Sequence, residues 1–193
     1  MTKLSVKELA FTAMMTCCNS VSELTVGNFL HLINFSMKGS VLVGINLMIY
    51  TLLFSRIPRF GVVTLCGFGT ALVNFMLTGG FKIFALYCIV LEALVVDIIF
   101  HFGGLKRNVI ILAGAAAGVT SCLCSFFNGV VFMGANITNV MEKLAQAPWV
   151  AGHSVAFIIA FILLWRVVVG LVFGGLAYKV LEVVKPDNQI GKS

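Results

Sequence analysis

The sequence of 193 residues contains six long apolar runs, which are separated by polar or glycine-rich segments. A helix that crosses the hydrocarbon core of a bilayer, about 30 Å thick, needs roughly 20 apolar residues. Because 60% of the residues are hydrophobic and only 10% are charged, a soluble chain of this length could not cover its surface with polar groups. The pattern predicts an all-α fold, a polytopic integral membrane protein with six transmembrane helices.

One transmembrane domain is predicted to occupy residues 1–193, without a soluble domain attached. The six predicted spans are 6–25, 38–55, 60–78, 82–102, 108–133 and 153–182. Two connections are longer than the others, 26–37 and 133–153, and both carry amides, histidines and aromatic residues. Since long loops often fold over binding sites, we expect these two connections to border a binding surface.

Basic residues fall mainly on one side of the predicted spans. With the N-terminus inside, the cytoplasmic segments hold nine of them: Lys3, Lys7, Arg56, Arg59, Lys106, Arg107, Lys179, Lys185 and Lys192. The outer segments hold Lys38, Lys82 and Lys143, and Arg166 lies within the last span. Because cytoplasmic loops are enriched in Lys and Arg, both termini are predicted to be cytoplasmic. The net charge of +6 follows from the same rule, so no nucleic-acid partner is predicted.

Three ionisable residues are predicted to lie inside the bilayer, where charges are costly and mark functional sites. Glu92 in the fourth span and Arg166 in the sixth are at comparable depth, on the outer side. They either neutralise each other or bind a polar group of a ligand. Asp97 is nearer the cytoplasmic end, where we expect it to pair with Lys106 or Arg107.

Milder polar and aromatic residues gather toward the outer half of the predicted bundle. A small-molecule site is usually an apolar pocket with a few convergent polar groups. We therefore predict a substrate-binding pocket that faces outward and is formed by Tyr87, Glu92, Asn128, Asn136, His153, Trp165 and Arg166.

Small residues recur at helical spacing in three spans. Ala10, Ala13 and Cys17, followed by Ser20, form a stripe on the first span that faces either a neighbouring helix or a partner protein. The fifth span has a GxxxG pair, Gly114 and Gly118, and the sixth has Gly170 and Gly174. For these two pairs we predict packing between helices of the same chain.

Several chemistries are excluded by the motifs that the sequence lacks. It contains no GxxxxGK[ST] loop, no HExxH and no GxSxG. Its six cysteines form no CxxC pair and lie in apolar runs, where cysteine acts as a small hydrophobe. We predict no metal, no cofactor and no enzymatic activity. A small bundle with a pocket and no energy source is typical of a binding subunit that depends on a partner for energy.

The chain resembles the substrate-binding S components of energy-coupling factor (ECF) transporters, a type of ABC transporter. The resemblance covers nearly the whole chain and rests on four stretches: "KELAFTAMM" (7–15), "RIPRFGVVTLCGFGTALV" (56–73), "LEALVVD" (91–97) and "VVVGLVFGGLAYKVLE" (167–182). It implies six spans and a location in a bacterial or archaeal plasma membrane. It also implies capture of a vitamin or related micronutrient outside the cell.

The resemblance implies partners as well. Such a component docks onto a transmembrane coupling protein that carries two ATPases, and docking uses small residues on the first span, here Ala10, Ala13 and Cys17. The N-terminal "MTK" lacks the Met-His start of the cobalt and nickel members, so a metal substrate is not expected. Arg166 suits a carboxylate or phosphate, and the many aromatic residues suit a planar ring, so we expect a vitamin or precursor with an aromatic ring and an anionic group.

Three other functions remain open at the level of sequence. The first is a self-sufficient small transporter or channel, which would move its substrate without ATPases. The second is a membrane-embedded enzyme that uses Glu92, Asp97 and His101 on the fourth span. The third is a purely structural assembly subunit, whose pocket would be empty and hydrophobic.

Overall fold

A computed structural model of the protein describes residues 4–32, 38–77, 83–128 and 155–184. These residues form six helices and no strand: α1 (Val6–Leu32), α2 (Lys38–Arg56), α3 (Val62–Leu77), α4 (Ile83–Gly103), α5 (Arg107–Phe127) and α6 (Val155–Val184). The all-α prediction is confirmed for these residues, and each predicted span overlaps one helix. Within the described ranges, three helices are long and apolar enough to cross a membrane, over Gly39–Arg56, Arg107–Phe127 and Ile159–Val184.

The first helix is longer than predicted. Residues 26–37 were expected to form an outer loop, but α1 continues to Leu32. Its last turns stay packed against α2, since a Cβ added at Gly27 would lie 3.5 Å from the side chain of Leu42. This packing favours the helix despite the glycine, and it places Glu23 inside a helix rather than at its end.

The turn between α2 and α3 is held by a carboxylate from α4. Asp97 is fully buried, and its Oδ2 accepts hydrogen bonds from the backbone N–H of Gly61 (2.8 Å), the backbone N–H of Thr64 (3.0 Å) and the hydroxyl of Thr64 (2.8 Å). The first N–H groups of a helix lack partners within it and favour a negative charge. The prediction that Asp97 pairs with Lys106 or Arg107 is therefore wrong, because the start of α3 takes this carboxylate.

Contacts between the helices define two ends of the bundle. Thr64 contacts Asp97 while Gly67 contacts Ala93, so α3 is antiparallel to α4. Gly114 contacts Gly170 while Gly118 contacts Arg166, so α5 is antiparallel to α6. We call the end at which α1, α3 and α5 finish the upper end. Among the described residues, α2 touches each of the other five helices. It also exposes no large apolar side chain, whereas each of the other five exposes several. The second helix is therefore the most enclosed element of the bundle.

The two glycine pairs bring the backbones of α5 and α6 into close contact. A Cβ at Gly114 would lie 2.3 Å from the carbonyl oxygen of Gly170, and one at Gly170 would lie 2.4 Å from that of Gly114. One turn away, a Cβ at Gly118 would lie 2.8 Å from the carbonyl oxygen of Arg166. The predicted packing of these pairs within the chain is confirmed. Only glycine lets the two backbones come this close.

Polar and apolar side chains are distributed differently from those of a soluble protein. Large apolar side chains such as Phe68, Leu112 and Leu164 are more than half exposed, while Asn19, Glu92 and Arg166 are buried. Exposed apolar surface of this extent marks a surface that contacts lipid or another protein.

Candidate functional site

Seven polar side chains lie inside the upper half of the bundle, and every helix supplies at least one. We call this group the buried polar cluster. It consists of Glu23 from α1, Ser40 and Asn46 from α2, Asn74 from α3, Glu92 from α4, Ser121 from α5 and Arg166 from α6. All except the half-buried Glu23 are at most 8% exposed. Buried polar and charged groups need partners, so such a cluster carries either a structural network or a binding site.

Arg166 extends into the bundle because glycines on the neighbouring helices α2 and α5 leave room for it. Its backbone packs on Gly118 of α5, and a Cβ added at Gly39 of α2 would lie 3.3 Å from its Nη2. The guanidinium therefore lies against the backbone of α2, where a larger residue would crowd it. Its Nη1 donates a hydrogen bond to the hydroxyl of Ser121 at 3.1 Å.

Ser121 also interacts with Glu92, so it stands between the two charged residues. Its hydroxyl can accept from Arg166 and donate to the Glu92 carboxyl. Glu92 and Arg166 attract each other electrostatically, but no distance of 4 Å or less joins their charged atoms. The sequence left open whether these residues neutralise each other or bind a ligand. The geometry brings them together through a serine rather than as a direct ion pair.

Glu23 organises the opposite side of the cluster. Its Oε1 accepts a hydrogen bond from Nδ2 of Asn46 at 2.6 Å, and its Oε2 accepts one from Nδ2 of Asn74 at 3.5 Å. Glu23 also interacts electrostatically with Glu92. Helices α1, α2 and α3 are thus joined at the carboxyl group of Glu23. This carboxyl group also lies within electrostatic range of Glu92, and so next to the contacts among Glu92, Ser121 and Arg166.

A second polar layer lies just below the cluster, and mainly apolar residues pack beneath it. Nδ2 of Asn19 donates to the hydroxyls of Tyr50 (3.4 Å) and Thr70 (3.2 Å), all three being at most 2% exposed. Toward the lower end, apolar side chains pack together, among them Leu53, Phe54, Val63, Val96, Phe100, Ile110 and Leu181. The buried polar residues Thr51, Ser55 and Asp97 also lie in this part of the bundle.

Buried atoms of the cluster that have no hydrogen-bond partner among the described residues include Oγ of Ser40, Oδ1 of Asn46 and Nε of Arg166. An unpaired buried polar group costs about 1–3 kcal/mol, so native structures keep few of them. Several unpaired polar atoms in one cluster indicate a site where a small polar molecule can supply the missing hydrogen-bond partners.

A separate concavity lies between the outer faces of α4 and α5. It has a volume of about 410 Å³ and is lined by Tyr87, Leu91, Thr120, Leu123, Cys124 and Phe127. Its wall is apolar, and the hydroxyl of Tyr87 donates to the carbonyl oxygen of Cys124 at 2.9 Å. The sequence grouped Tyr87 with Arg166, but the structure places Tyr87 on this outer groove.

The remaining predicted binding residues have different positions. Asn128 follows α5 at its upper end, and its Oδ1 is buried without a partner among the described residues. Trp165 is 39% exposed, whereas the adjacent Arg166 is 6% exposed, so the two point to different sides of α6. Asn136 and His153 lie outside the described residues.

Five members of the cluster were missed from the sequence: Glu23, Ser40, Asn46, Asn74 and Ser121. The available signal was weak, because single amides and hydroxyls are common in apolar runs. Glu23 was overlooked because the first span was predicted to end at residue 25. An amide within each of the apolar helices α2 and α3, Asn46 and Asn74, is the feature that could have revealed the site.

The outer face of α1 carries the predicted docking residues. Ala10, Ala13 and Cys17 are all exposed, together with Met14 and Val21. Ser20 is buried, so the stripe turns into the bundle at that point. The three small residues thus lie on a face that no other described helix covers.

Comparisons of the chain with protein-family models, with curated proteins and with solved structures give no match.

Proposed function

We propose that this protein is the membrane-embedded, high-affinity substrate-binding S component of an ECF-type ABC transporter. One observation carries the proposal: every helix supplies a polar side chain to one buried cluster, inside a bundle whose exterior is apolar. A membrane protein maintains buried charges at such cost mainly where they bind or transfer something. The ligand that we propose is a vitamin or related micronutrient.

The proposed topology has six spans with both termini in the cytoplasm. Basic residues at the lower end of the described helices support it, namely Lys7, Arg56, Arg59, Lys106, Arg107 and Lys179. In this orientation the upper end faces outward, so the buried polar cluster lies in the outer half of the bilayer. The protein would then bind its substrate from outside a bacterial or archaeal cell.

The apolar layer below the cluster favours a binding subunit over a self-sufficient channel. Leu53, Val96, Phe100 and Ile110 fill the bundle between the cluster and the lower end. A polar substrate could cross these packed side chains only with a large rearrangement, and its accumulation against a gradient needs an energy source. We propose that a transmembrane coupling protein with two ATPases supplies it, and that this partner docks on the α1 face with Ala10, Ala13 and Cys17.

Ligand capture and flux test the proposal together. The purified protein, immobilised in detergent, is incubated with the low-molecular-mass fraction of yeast extract, and the retained compounds are released and identified by mass spectrometry. We expect one compound to be enriched over an Arg166→Ala column. Liposomes that contain the protein alone should not take that compound up. Rapid uptake without ATPases would contradict the proposal and favour a self-sufficient transporter.

A further inference from the structure

The orientation of the Asn46 side chain is fixed by its partner. Its Nδ2 donates a hydrogen bond to Oε1 of Glu23 at 2.6 Å. The N–H side of the amide must therefore face Glu23. Its Oδ1 then points away as an acceptor, buried and without a partner among the described residues.

Arg166 has the opposite polarity. A guanidinium can only donate hydrogen bonds, and Nη1 is already directed at Ser121. Its Nε has no partner among the described residues, in a side chain that is 6% exposed. This part of the cluster therefore offers an N–H donor with a positive charge behind it.

The two groups contact the same helix at different levels. The guanidinium lies against Gly39, and Asn46 follows seven residues later on α2. Seven residues correspond to about 10 Å along the axis of an α-helix, so the donor and the acceptor are offset along the bundle.

Resting on the proposed function, we propose that the ligand is a bifunctional small molecule with opposite polarity at its two ends. One end carries a carboxylate, phosphate or carbonyl oxygen that accepts from Nε of Arg166. The other end carries an N–H group that donates to Oδ1 of Asn46. This class extends the anionic ligand expected from the sequence, because it requires an N–H end as well. It excludes dicarboxylates and other molecules without an N–H group.

The test uses the compound that the wild-type protein retains from the low-molecular-mass fraction of yeast extract. Accurate mass, fragmentation and hydrogen–deuterium exchange determine whether it has both an exchangeable N–H and an acceptor oxygen. Two derivatives are then prepared, one with the N–H methylated and one with the acceptor group blocked, by esterification where it is an acid. We expect each derivative to bind the wild type at least about tenfold more weakly, as for the loss of one hydrogen bond to a buried group.

Variants assign each end of the compound to its residue. In Asn46→Leu, methylation of the compound's N–H should cost no further affinity, whereas blocking its acceptor group should still weaken binding about tenfold. In Arg166→Ala, blocking the acceptor group should cost no further affinity, whereas methylation of the N–H should still weaken binding about tenfold. Size-exclusion elution and helical circular dichroism verify that both variants are folded. A retained compound without an N–H group, or derivative effects that are the same in both variants, would overturn the inference while leaving the proposed function intact. Retention of no compound by the wild type would contradict the proposed function and this inference with it.

Discussion

The guanidinium of Arg166 donates a hydrogen bond to the hydroxyl of Ser121 across the close contact between α5 and α6. One turn below Ser121, Gly118 packs on the carbonyl oxygen of Arg166, and Gly114 packs on Gly170. The glycines thus fix the distance between α5 and α6, and that distance places a charged donor beside Ser121 and Glu92. Helix packing and the buried polar cluster depend on each other.

Replacing Ser121 by alanine should destabilise the protein. The change leaves Nη1 of Arg166 without its acceptor in a buried site, which costs about 1–3 kcal/mol of unfolding free energy. Ser125→Ala is a matched control, because the Ser125 hydroxyl bonds only the Ser121 carbonyl one turn back. Its loss should change stability by less than about 0.5 kcal/mol. Thermal unfolding in detergent measures both, and equal losses would argue against a structural role for the Arg166 contact.

The glycine contact gives a second prediction. Gly170→Ala places a methyl group 2.4 Å from the carbonyl oxygen of Gly114, so α5 and α6 must separate. We expect a loss of about 1–3 kcal/mol, typical of overpacking. In Gly175→Ala, nothing lies within 4 Å of the new methyl group, and stability should stay equal or rise by up to about 1 kcal/mol. If both variants have the same stability, the close contact does not hold the helices together.

Asp97→Ala tests the structural role of the buried carboxylate that bonds the start of α3. It removes the acceptor of two backbone N–H groups and one hydroxyl at the start of α3, so unfolding should become easier by about 2–4 kcal/mol. Capture of the yeast-extract compound per folded molecule should stay unchanged, because Asp97 lies at the lower end. Loss of capture in a folded Asp97→Ala protein would contradict this assignment and favour the hypothesis of an enzyme that uses the fourth helix.

The fold was predictable from the sequence to the extent that it depends on local pattern. Apolar runs located all six helices, and the two GxxxG pairs identified their own contact, because both are periodicities within one segment. The end of α1 was predicted wrongly because packing of Gly27 against Leu42 is a tertiary effect. Asp97 was misassigned because nearby basic residues are visible in the sequence, whereas the N-terminus of α3 as a competing partner is not.

The candidate site was predictable only through its charged residues. Glu92 and Arg166 are unusual in an apolar run, so the sequence alone marks them as candidates. The sequence does not mark Asn46, Asn74 and Ser121 in this way. They stand out only because three different helices bring their side chains into one cluster. The exposed fraction of Trp165, 39%, likewise depends on which face of α6 packs inward.

A fourth prediction concerns the outer face of α1. Ala13→Trp places a large ring on the surface where we propose that a partner helix docks, so co-purification with the proposed coupling protein and its two ATPases should fall at least about tenfold. Capture of the yeast-extract compound should not change. Leu112→Trp on α5, also exposed, is the control and should leave both properties unaltered. Equal assembly of Ala13→Trp and wild type would show that this face does not dock.

The most direct test of the buried polar cluster as a binding site is stabilisation by ligand. Unfolding temperatures of wild type, Arg166→Ala and Ser125→Ala are measured in detergent with and without the low-molecular-mass fraction of yeast extract. A ligand present at 100 times its Kd adds about 2.7 kcal/mol to the folded state. We predict a clear upward shift for wild type and Ser125→Ala and none for Arg166→Ala. The same shift in all three proteins would contradict the account, because binding would then not involve the cluster.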